Sequence, residues 1–201
     1  MNYRLYFLSL IVGAAGSFLY IISCMPETIS RKMGEAAFEK CKVYRRLSSI
    51  PLCASFLFYF CYNLESLHIS LSWLPVNFPY PIRPLVTFPV SLILLIIGLF
   101  CFIKGRKARG IESDNPKEYH GVVDTGVYKY IRHPQLLGEI CLWYFVSFLW
   151  ASPLLVLTTT LFWLPNYILW CHFEEKDLIL RFGDEYLEYK KRTKFMIPFI
   201  L

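Results

Sequence analysis

The chain has 201 residues, enough for one soluble domain, but its composition does not fit a protein that keeps a polar surface in water. Hydrophobic residues make up 56% and charged residues only 18%, and the mean hydropathy is +0.43. The seven cysteines form no C-x-x-C pair and lie mostly in apolar runs, so neither a disulfide framework nor a metal site is predicted. The composition excludes a disordered chain and a secreted disulfide scaffold, and it predicts an integral membrane protein.

Apolar stretches long enough to cross a bilayer core of about 30 Å occur at positions 5–25, 47–64, 85–103, 136–152 and 154–173. The last two are joined only by Ala151, Ser152 and Pro153, which predicts a tight antiparallel helical hairpin. The expected fold is therefore all-α, with five transmembrane helices. We divide it into a three-helix membrane region, 1–103, and a C-terminal region, 104–201, that contains a loop, the hairpin and a tail.

The basic residues alternate between the two ends of the predicted helices. In chain order, the segments outside the helices hold 1, 6, 1, 7, 0 and 6 Lys and Arg residues. The positive-inside rule then places the N-terminus outside and the C-terminal tail in the cytoplasm. The net charge of +6 is interpreted as basic loops facing anionic lipid headgroups, and nucleic-acid binding is not expected. The expected location is the cytoplasmic membrane or, in a eukaryote, the endoplasmic reticulum.

Polar side chains concentrate at the cytoplasmic end of the predicted hairpin. Arg132 and His133 precede Pro134, which suits the first turn of a helix, so both lie beside unpaired backbone N–H groups that favour an anion. Glu174 and Glu175 return to the same end, where they can hold a cation. This pattern favours a small ligand with both a carboxylate and a positive centre. Capping of the helix ends is the simpler alternative.

The segment after Glu174 predicts an amphipathic helix that is interrupted at Gly183. Its apolar positions follow at spacings of four, four and three: Leu178, Phe182, Tyr186 and Tyr189. Such a tail can cover a pocket as a lid or lie on the membrane surface, and the two roles are compatible.

Several short motifs follow one another in a defined order: G-V-Y at 126–128, R-H-P-Q-L-L-G at 132–138, E-E at 174–175 and F-G-D-E-Y-L-E-Y-K-K-R at 182–192. Together they resemble the C-terminal half of the isoprenylcysteine carboxyl methyltransferase and phospholipid methyltransferase family, over residues 118–201. The resemblance implies S-adenosyl-L-methionine as methyl donor, with S-adenosyl-L-homocysteine as product. It also implies a lipidic or prenylated acceptor that enters from the bilayer, and no metal.

The resemblance and the charged cluster together define the expected donor-binding residues. They are His120, Gly121, Val122, Val123, Tyr128, Arg132, His133, Pro134, Gln135, Leu136, Glu174 and Glu175. The family pattern usually has Tyr at the position of Leu136, so one aromatic or hydroxyl contact differs in this chain.

The sequence is compatible with more than one class of acceptor. Carboxyl methyltransferases that the chain resembles have an Arg at the position of Trp170, where it can hold the acceptor carboxylate, and Trp cannot make that two-point contact. A substrate-side role is expected for Trp170, and a lipid amine or another isoprenoid acceptor stays open. An amine needs a base, for which Glu139 and His172 are the candidate catalytic residues. Glu139 is alternatively a carboxyl hydrogen-bonded to a neighbouring helix.

Two other functions are weighed against methyl transfer. A membrane reductase of the sterol type is one, because Gly138 and Glu139 are similar to a Gly-acid pair in those enzymes. A non-catalytic membrane scaffold is the other. Binding of S-adenosyl-L-homocysteine, of NADPH or of neither ligand distinguishes the three.

Overall fold

The computed structural model of the protein describes residues 3–61, 83–110 and 121–196. Within these ranges the chain is helical and forms no β-strand, which confirms the predicted all-α class. The α-helices are α1 (Tyr3–Ser23), α2 (Pro26–Met33), α3 (Ala36–Cys61), α4 (Arg83–Arg109), α5 (Pro134–Leu149), α6 (Pro153–Thr158), α7 (Leu164–Phe182) and α8 (Asp184–Arg192).

In the described part of the chain, three helices are long and apolar enough to cross a membrane: Arg4–Ser23, Leu85–Arg109 and Pro153–Phe182. The last of these is continuous, because α6 runs through a π-helical turn at Thr159–Trp163 into α7. Helix α5 is apolar but only 16 residues long. Positions 62–64 of the second predicted span lie outside the described residues. The five-span topology and its orientation therefore stay predictions.

Helices α1 and α3 pack closely along faces of small residues. The Ser55 hydroxyl donates to the Ser9 carbonyl oxygen over 2.7 Å, and the Ser9 hydroxyl donates to the Ser55 carbonyl oxygen over 3.1 Å. A Cβ at Gly13 would lie 2.5 Å from the ring of Trp163, so glycine is needed at this contact. Small side chains let helices approach in this way where lipid supplies no hydrophobic drive for packing.

Helices α4 and α5 also meet at glycines. A Cβ built on Gly138 would lie 2.7 Å from the Gly98 carbonyl oxygen and 2.7 Å from the backbone nitrogen of Phe102. Both neighbours are backbone atoms that cannot rotate away. Gly138 therefore sets how closely the start of the hairpin approaches α4.

The core lies where α5 faces the continuous helix α6–α7. The rings of Trp143 and Trp163 stack with centroids 3.9 Å apart. From α3, the buried Tyr59 hydroxyl donates to the Leu155 carbonyl oxygen over 2.5 Å and lies 3.0 Å from the Ser147 hydroxyl. These contacts hold the hairpin against α3, since a buried polar group is stable only with its hydrogen bonds made.

A contact of α7 and a turn at its end shape the part of the hairpin where the motifs lie. The carboxylate of Asp177 accepts hydrogen bonds from the backbone N–H groups of Glu27, at 3.1 Å, and Thr28, at 2.8 Å, so α7 caps the first turn of α2. At the end of α7, Gly183 has φ +55, a conformation that glycine adopts at low cost. The chain turns there, and the side chains of Tyr186 and Tyr189 in α8 become buried.

Candidate active site

The segment that leads into α5 is held beside the segment that follows α8. The backbone N–H of Arg132 donates to the Lys194 carbonyl oxygen over 2.8 Å, and that of His133 donates to the Phe195 carbonyl oxygen over 3.3 Å. Ile131 and Lys194 form an isolated parallel bridge. The tail thus packs against the Arg-His-Pro motif although about 60 residues separate them.

His133 joins this segment to α7. Its ring is buried, with Nδ1 3.5 Å from Oε2 of Glu174 and Nε2 3.2 Å from Oε1 of Glu175. Burial acts against a charged ring, but contacts with Cys171, Glu174 and Glu175 favour it and hold the pKa of His133 well above its ordinary value. We interpret His133 as an imidazolium that donates to both carboxylates.

Glu175 is the centre of a buried ion cluster. Its Oε1 lies 2.6 Å from Nε of Arg132 and its Oε2 lies 2.6 Å from Nζ of Lys190. The guanidinium of Arg132 also donates to the carbonyl oxygens of Lys190 and Thr193. Arg132 and Glu175 therefore join α7 to α8 and to the segment before α5, an arrangement that orients the tail.

A cavity of about 130 Å³, here called the first cavity, lies next to this cluster. The sequence-predicted residues that line it are Gly121, Val122, Val123, Tyr128, Arg132, His133, Gln135, Leu136, Glu139 and Glu174. Pro134 and Glu175 are buried and do not line it. His120 lies outside the described residues.

Two other sequence-predicted residues are not brought to the cavity. Trp170 is buried in the core, with its ring centroid 4.6 Å from that of Tyr20 and 4.5 Å from that of Tyr167. His172 is exposed and makes an edge contact with Phe173. Neither residue lines the cavity described above, nor the larger one described below.

Helix α8 closes the first cavity through contacts that the sequence motifs did not predict. The Glu185 carboxylate accepts the backbone N–H of Val122 over 2.8 Å, and the Tyr189 hydroxyl donates to the Tyr128 carbonyl oxygen over 2.8 Å. Tyr186 and Tyr189 line the cavity, which fits the lid role considered for the tail.

Helices α1, α3 and α4 also contribute to the first cavity. Tyr20 of α1, Arg45 of α3 and Arg109 of α4 lie in its wall, together with Cys24, which directly follows α1. These residues were missed because none belongs to a recognisable motif, and three of them precede residue 104, in the region predicted to be only a membrane bundle. The available signal for Arg45 and Arg109 is the cluster of basic residues at the ends of α3 and α4. In the sequence, this cluster indicates only how the helices are oriented in the membrane.

A second cavity of about 580 Å³ lies beside the first, between α3, α4 and α5. Its apolar lining residues are Leu52, Cys53, Phe56, Phe102, Leu142 and Trp143. The residues that line both cavities are Tyr20, Arg45, Arg109, Gln135 and Glu139, and we call them the shared wall. The two cavities thus meet at a polar partition.

Glu139 has a fixed hydrogen-bond partner in this partition. The Tyr167 hydroxyl donates to Oε2 of Glu139 over 3.2 Å, and the Trp143 indole N–H donates to the Tyr167 hydroxyl oxygen over 3.0 Å. Glu139 is therefore hydrogen-bonded to another helix and lines both cavities, and its catalytic role stays a prediction.

A family model described as phospholipid methyltransferase matches residues 86–185, about half of the chain. Methanethiol S-methyltransferase 2 of Bradyrhizobium diazoefficiens is 40% identical over 75 residues, which are 36% of this chain and 27% of the relative. No solved structure matches the chain.

The relatives that carry the name protein-S-isoprenylcysteine O-methyltransferase include those of Saccharomyces cerevisiae and Homo sapiens. That of Saccharomyces cerevisiae is 31% identical over 136 residues, 61% of this chain and 54% of the relative. That of Homo sapiens is 28% identical over 154 residues, 69% of this chain and 51% of the relative. The chain spans about a quarter of the methanethiol S-methyltransferase and about half of the isoprenylcysteine O-methyltransferases.

The apolar helices indicate an integral membrane protein, and a cavity lined by charged residues lies at one end of its helical hairpin. The chain belongs to the phospholipid methyltransferase family, as the resemblance of its C-terminal motifs predicts.

Proposed function

We propose that the protein transfers a methyl group from S-adenosyl-L-methionine to a lipid-like acceptor at the membrane. The observation that carries this proposal is the meeting of a charged cavity and a larger, mainly apolar cavity at one shared wall. A two-substrate reaction needs both reactants held in contact, and a partition lined from both sides supplies that arrangement. The family and the names of its relatives support the same chemistry.

The chemistry of the first cavity fits the donor. S-adenosyl-L-methionine supplies a methyl group on a sulfonium centre when bound. Glu174 provides a carboxylate for the cationic part of such a ligand, and the ring of Tyr128 provides an aromatic face. Gly121 and Val123 also line this cavity, and polar main-chain groups can orient a nucleoside. The proposed donor set also includes His133, Gln135 and Leu136.

The second cavity fits the apolar part of an acceptor. Leu52 and Phe56 of α3, Phe102 of α4 and Leu142 of α5 line it, and such a lining favours a hydrocarbon chain. In the proposed five-span topology, the N-terminus is outside and the end of the hairpin at His133 is cytoplasmic. The acceptor then enters sideways from the cytoplasmic leaflet.

The residues of the chain act mainly by positioning the reactants. Methyl transfer is an in-line displacement, so the protein aligns the two reactants and excludes water, which α8 does by covering the first cavity with Tyr186 and Tyr189. For an amine acceptor, Glu139 at the shared wall can take up the proton, with its carboxylate oriented by Tyr167. His172 lines neither cavity, so this proposal gives it no role.

The test is a calorimetric titration of the detergent-solubilised protein with S-adenosyl-L-homocysteine and, separately, with NADPH. We expect binding of the first only. Glu174→Gln is expected to weaken that binding about 10- to 150-fold, the loss for one hydrogen bond to a charged group. Glu188→Gln, on the exposed side of α8, is the matched control and should bind as the wild type does. NADPH binding would instead favour the reductase, and binding of neither ligand the scaffold.

A further inference from the structure

Tyr20 of α1 belongs to the shared wall, where it lines both cavities. Among the described residues, it is the one aromatic side chain that does so. Its side chain is partly buried. A group that is transferred between ligands in the two cavities must cross this wall, so each side chain of the wall is a candidate contact of the reacting atoms.

The ring of Tyr20 is held by side chains from two other helices. The ring of Trp170 in α7 is buried, with its centroid 4.6 Å from that of Tyr20 and an angle of 41° between the two planes. The guanidinium carbon of Arg45 in α3 lies 5.8 Å from the centre of the Tyr20 ring. Trp170 lines neither cavity, so it can influence the wall only through the residues that it packs against.

The Tyr20 hydroxyl has no hydrogen-bond partner among the described residues. By contrast, Tyr167 and Tyr189 also line the cavities, and their hydroxyl groups donate hydrogen bonds to residues of other segments. Polar atoms inside a protein are almost always paired. An unpaired hydroxyl on a residue that lines two cavities therefore points to a contact with a ligand.

The charge of the methyl donor indicates which contact a hydroxyl can make. The positive sulfonium centre loses its charge during transfer, so a carboxylate against it would stabilise the reactant more than the transition state. The cations Arg45 and Arg109 repel a sulfonium. A neutral hydroxyl oxygen attracts the polarised methyl hydrogens of a sulfonium through a weaker C–H···O contact, and Tyr20 is the residue of the shared wall that carries one.

We propose that the hydroxyl oxygen of Tyr20 contacts the sulfonium methyl group of the donor at the shared wall, and that Trp170 is the positioning residue that holds Tyr20 there. This inference rests on the proposed function. S-adenosyl-L-homocysteine lacks both the methyl group and the positive charge, so it cannot make this contact. Tyr20 thereby distinguishes the donor from the product, and it gains or loses no proton in this role.

The first arm of the test measures the affinity of the detergent-solubilised protein for S-adenosyl-L-methionine and for S-adenosyl-L-homocysteine by calorimetry, with no acceptor present. Tyr20→Phe removes only the hydroxyl. It should weaken binding of the donor about 3- to 30-fold, the loss of a charge-assisted C–H···O contact, and change product binding less than about twofold. Tyr144→Phe on α5, which lines neither cavity, is the matched control. Equal weakening of both ligands, or of neither, would overturn the inference.

The second arm tests the positioning role of Trp170 through the ratio of the two affinities. Trp170→Leu should lower this ratio as Tyr20→Phe does, and Trp170→Phe, which keeps an aromatic ring, should largely retain it. The variant with both Tyr20→Phe and Trp170→Leu should show no further loss, because Trp170 acts through Tyr20. Trp150→Leu, which packs against Phe60 and lines neither cavity, is the control.

The outcomes separate a positioning role from a structural one. If Trp170→Leu lowers only the unfolding midpoint, or if its effect on the ratio adds to that of Tyr20→Phe, Trp170 does not position Tyr20. A wild-type protein that binds neither ligand would refute the proposed function. A wild-type protein that binds both, with a ratio that Tyr20→Phe leaves unchanged, would overturn this inference alone.

Discussion

The Nε atom of Arg132 lies 2.6 Å from Oε1 of Glu175, and both side chains are more than nine-tenths buried. This contact joins Arg132, the first residue of the Arg-His-Pro motif, to the middle of α7. Because Lys190 of α8 reaches the other oxygen of Glu175, one carboxylate fixes three segments around the first cavity. Glu175 is expected from the sequence to bind the donor, but its contacts are those of a residue that positions other residues.

We predict that Glu175→Gln destabilises the protein more than it changes donor binding. The variant leaves the buried Arg132 guanidinium with an uncharged partner, and breaking a buried ion pair from one side costs about 3 to 5 kcal/mol. Thermal unfolding in detergent measures this. Glu188→Gln breaks the exposed pair with Lys191 and should leave the unfolding midpoint unchanged. Equal midpoints for the two variants would show that the buried cluster does not stabilise the fold.

His133 gives the stability a pH dependence of known sign. Because its pKa is raised in the folded state, the protonated ring contributes stability that is complete below the ordinary value of 6.5 and is lost as the pH rises through the folded-state pKa. The unfolding midpoint of the wild type should therefore fall across the alkaline range. His133→Gln should flatten this part of the curve, and parallel curves for the two proteins would contradict the assignment.

Gly138→Ala should loosen the contact between α4 and α5. The added Cβ would meet backbone atoms of Gly98 and Phe102 at 2.7 Å, so the helices must move apart. Overpacking of this kind costs about 1 to 3 kcal/mol. Leu99→Ala, on the exposed face of α4, is the control. A variant of Gly138 as stable as the wild type would mean that the two helices are not in close contact.

The proposed topology places the loop before α5 and the tail on one side of the membrane. Asn115→Cys and Lys191→Cys, labelled in sealed vesicles with a reagent that does not cross the bilayer, should react from the cytoplasmic face only. If the two positions label from opposite faces, the tail cannot cover the first cavity as proposed. The wild-type protein treated in the same way gives the background from the native cysteines.

Much of the architecture near the motifs was predictable from sequence. The length of the apolar stretches predicts α1, α4 and the hairpin. Pro134 indicates the start of α5, and Gly183 indicates the break before α8. The short connection after α5 also brought His133 and Glu174 to the same end. These features depend on local chemistry and chain connectivity, which a single sequence records.

The remaining parts of the site depend on how separate helices pack. Arg45 and Arg109 belong to helices with no motif, and nothing in their spacing states that they meet at one wall. Trp170 was assigned to the substrate because of its place in a pattern, but packing against Tyr20 directs it into the core. Periodicity indicates which face of a helix is apolar, and not which neighbour covers it.

Methyl transfer to an amphiphile is tested most directly by following the methyl group itself. Purified protein in lipid vesicles is incubated with S-adenosyl-L-methionine carrying an isotopic label in its methyl group, together with an amphiphilic acceptor, and the organic extract is analysed for label. We predict label in the extracted acceptor with the wild type and with Glu188→Gln, and little with Glu174→Gln. Label that stays in the aqueous phase with every protein, across carboxylate, amine and thiol acceptors, would contradict the account.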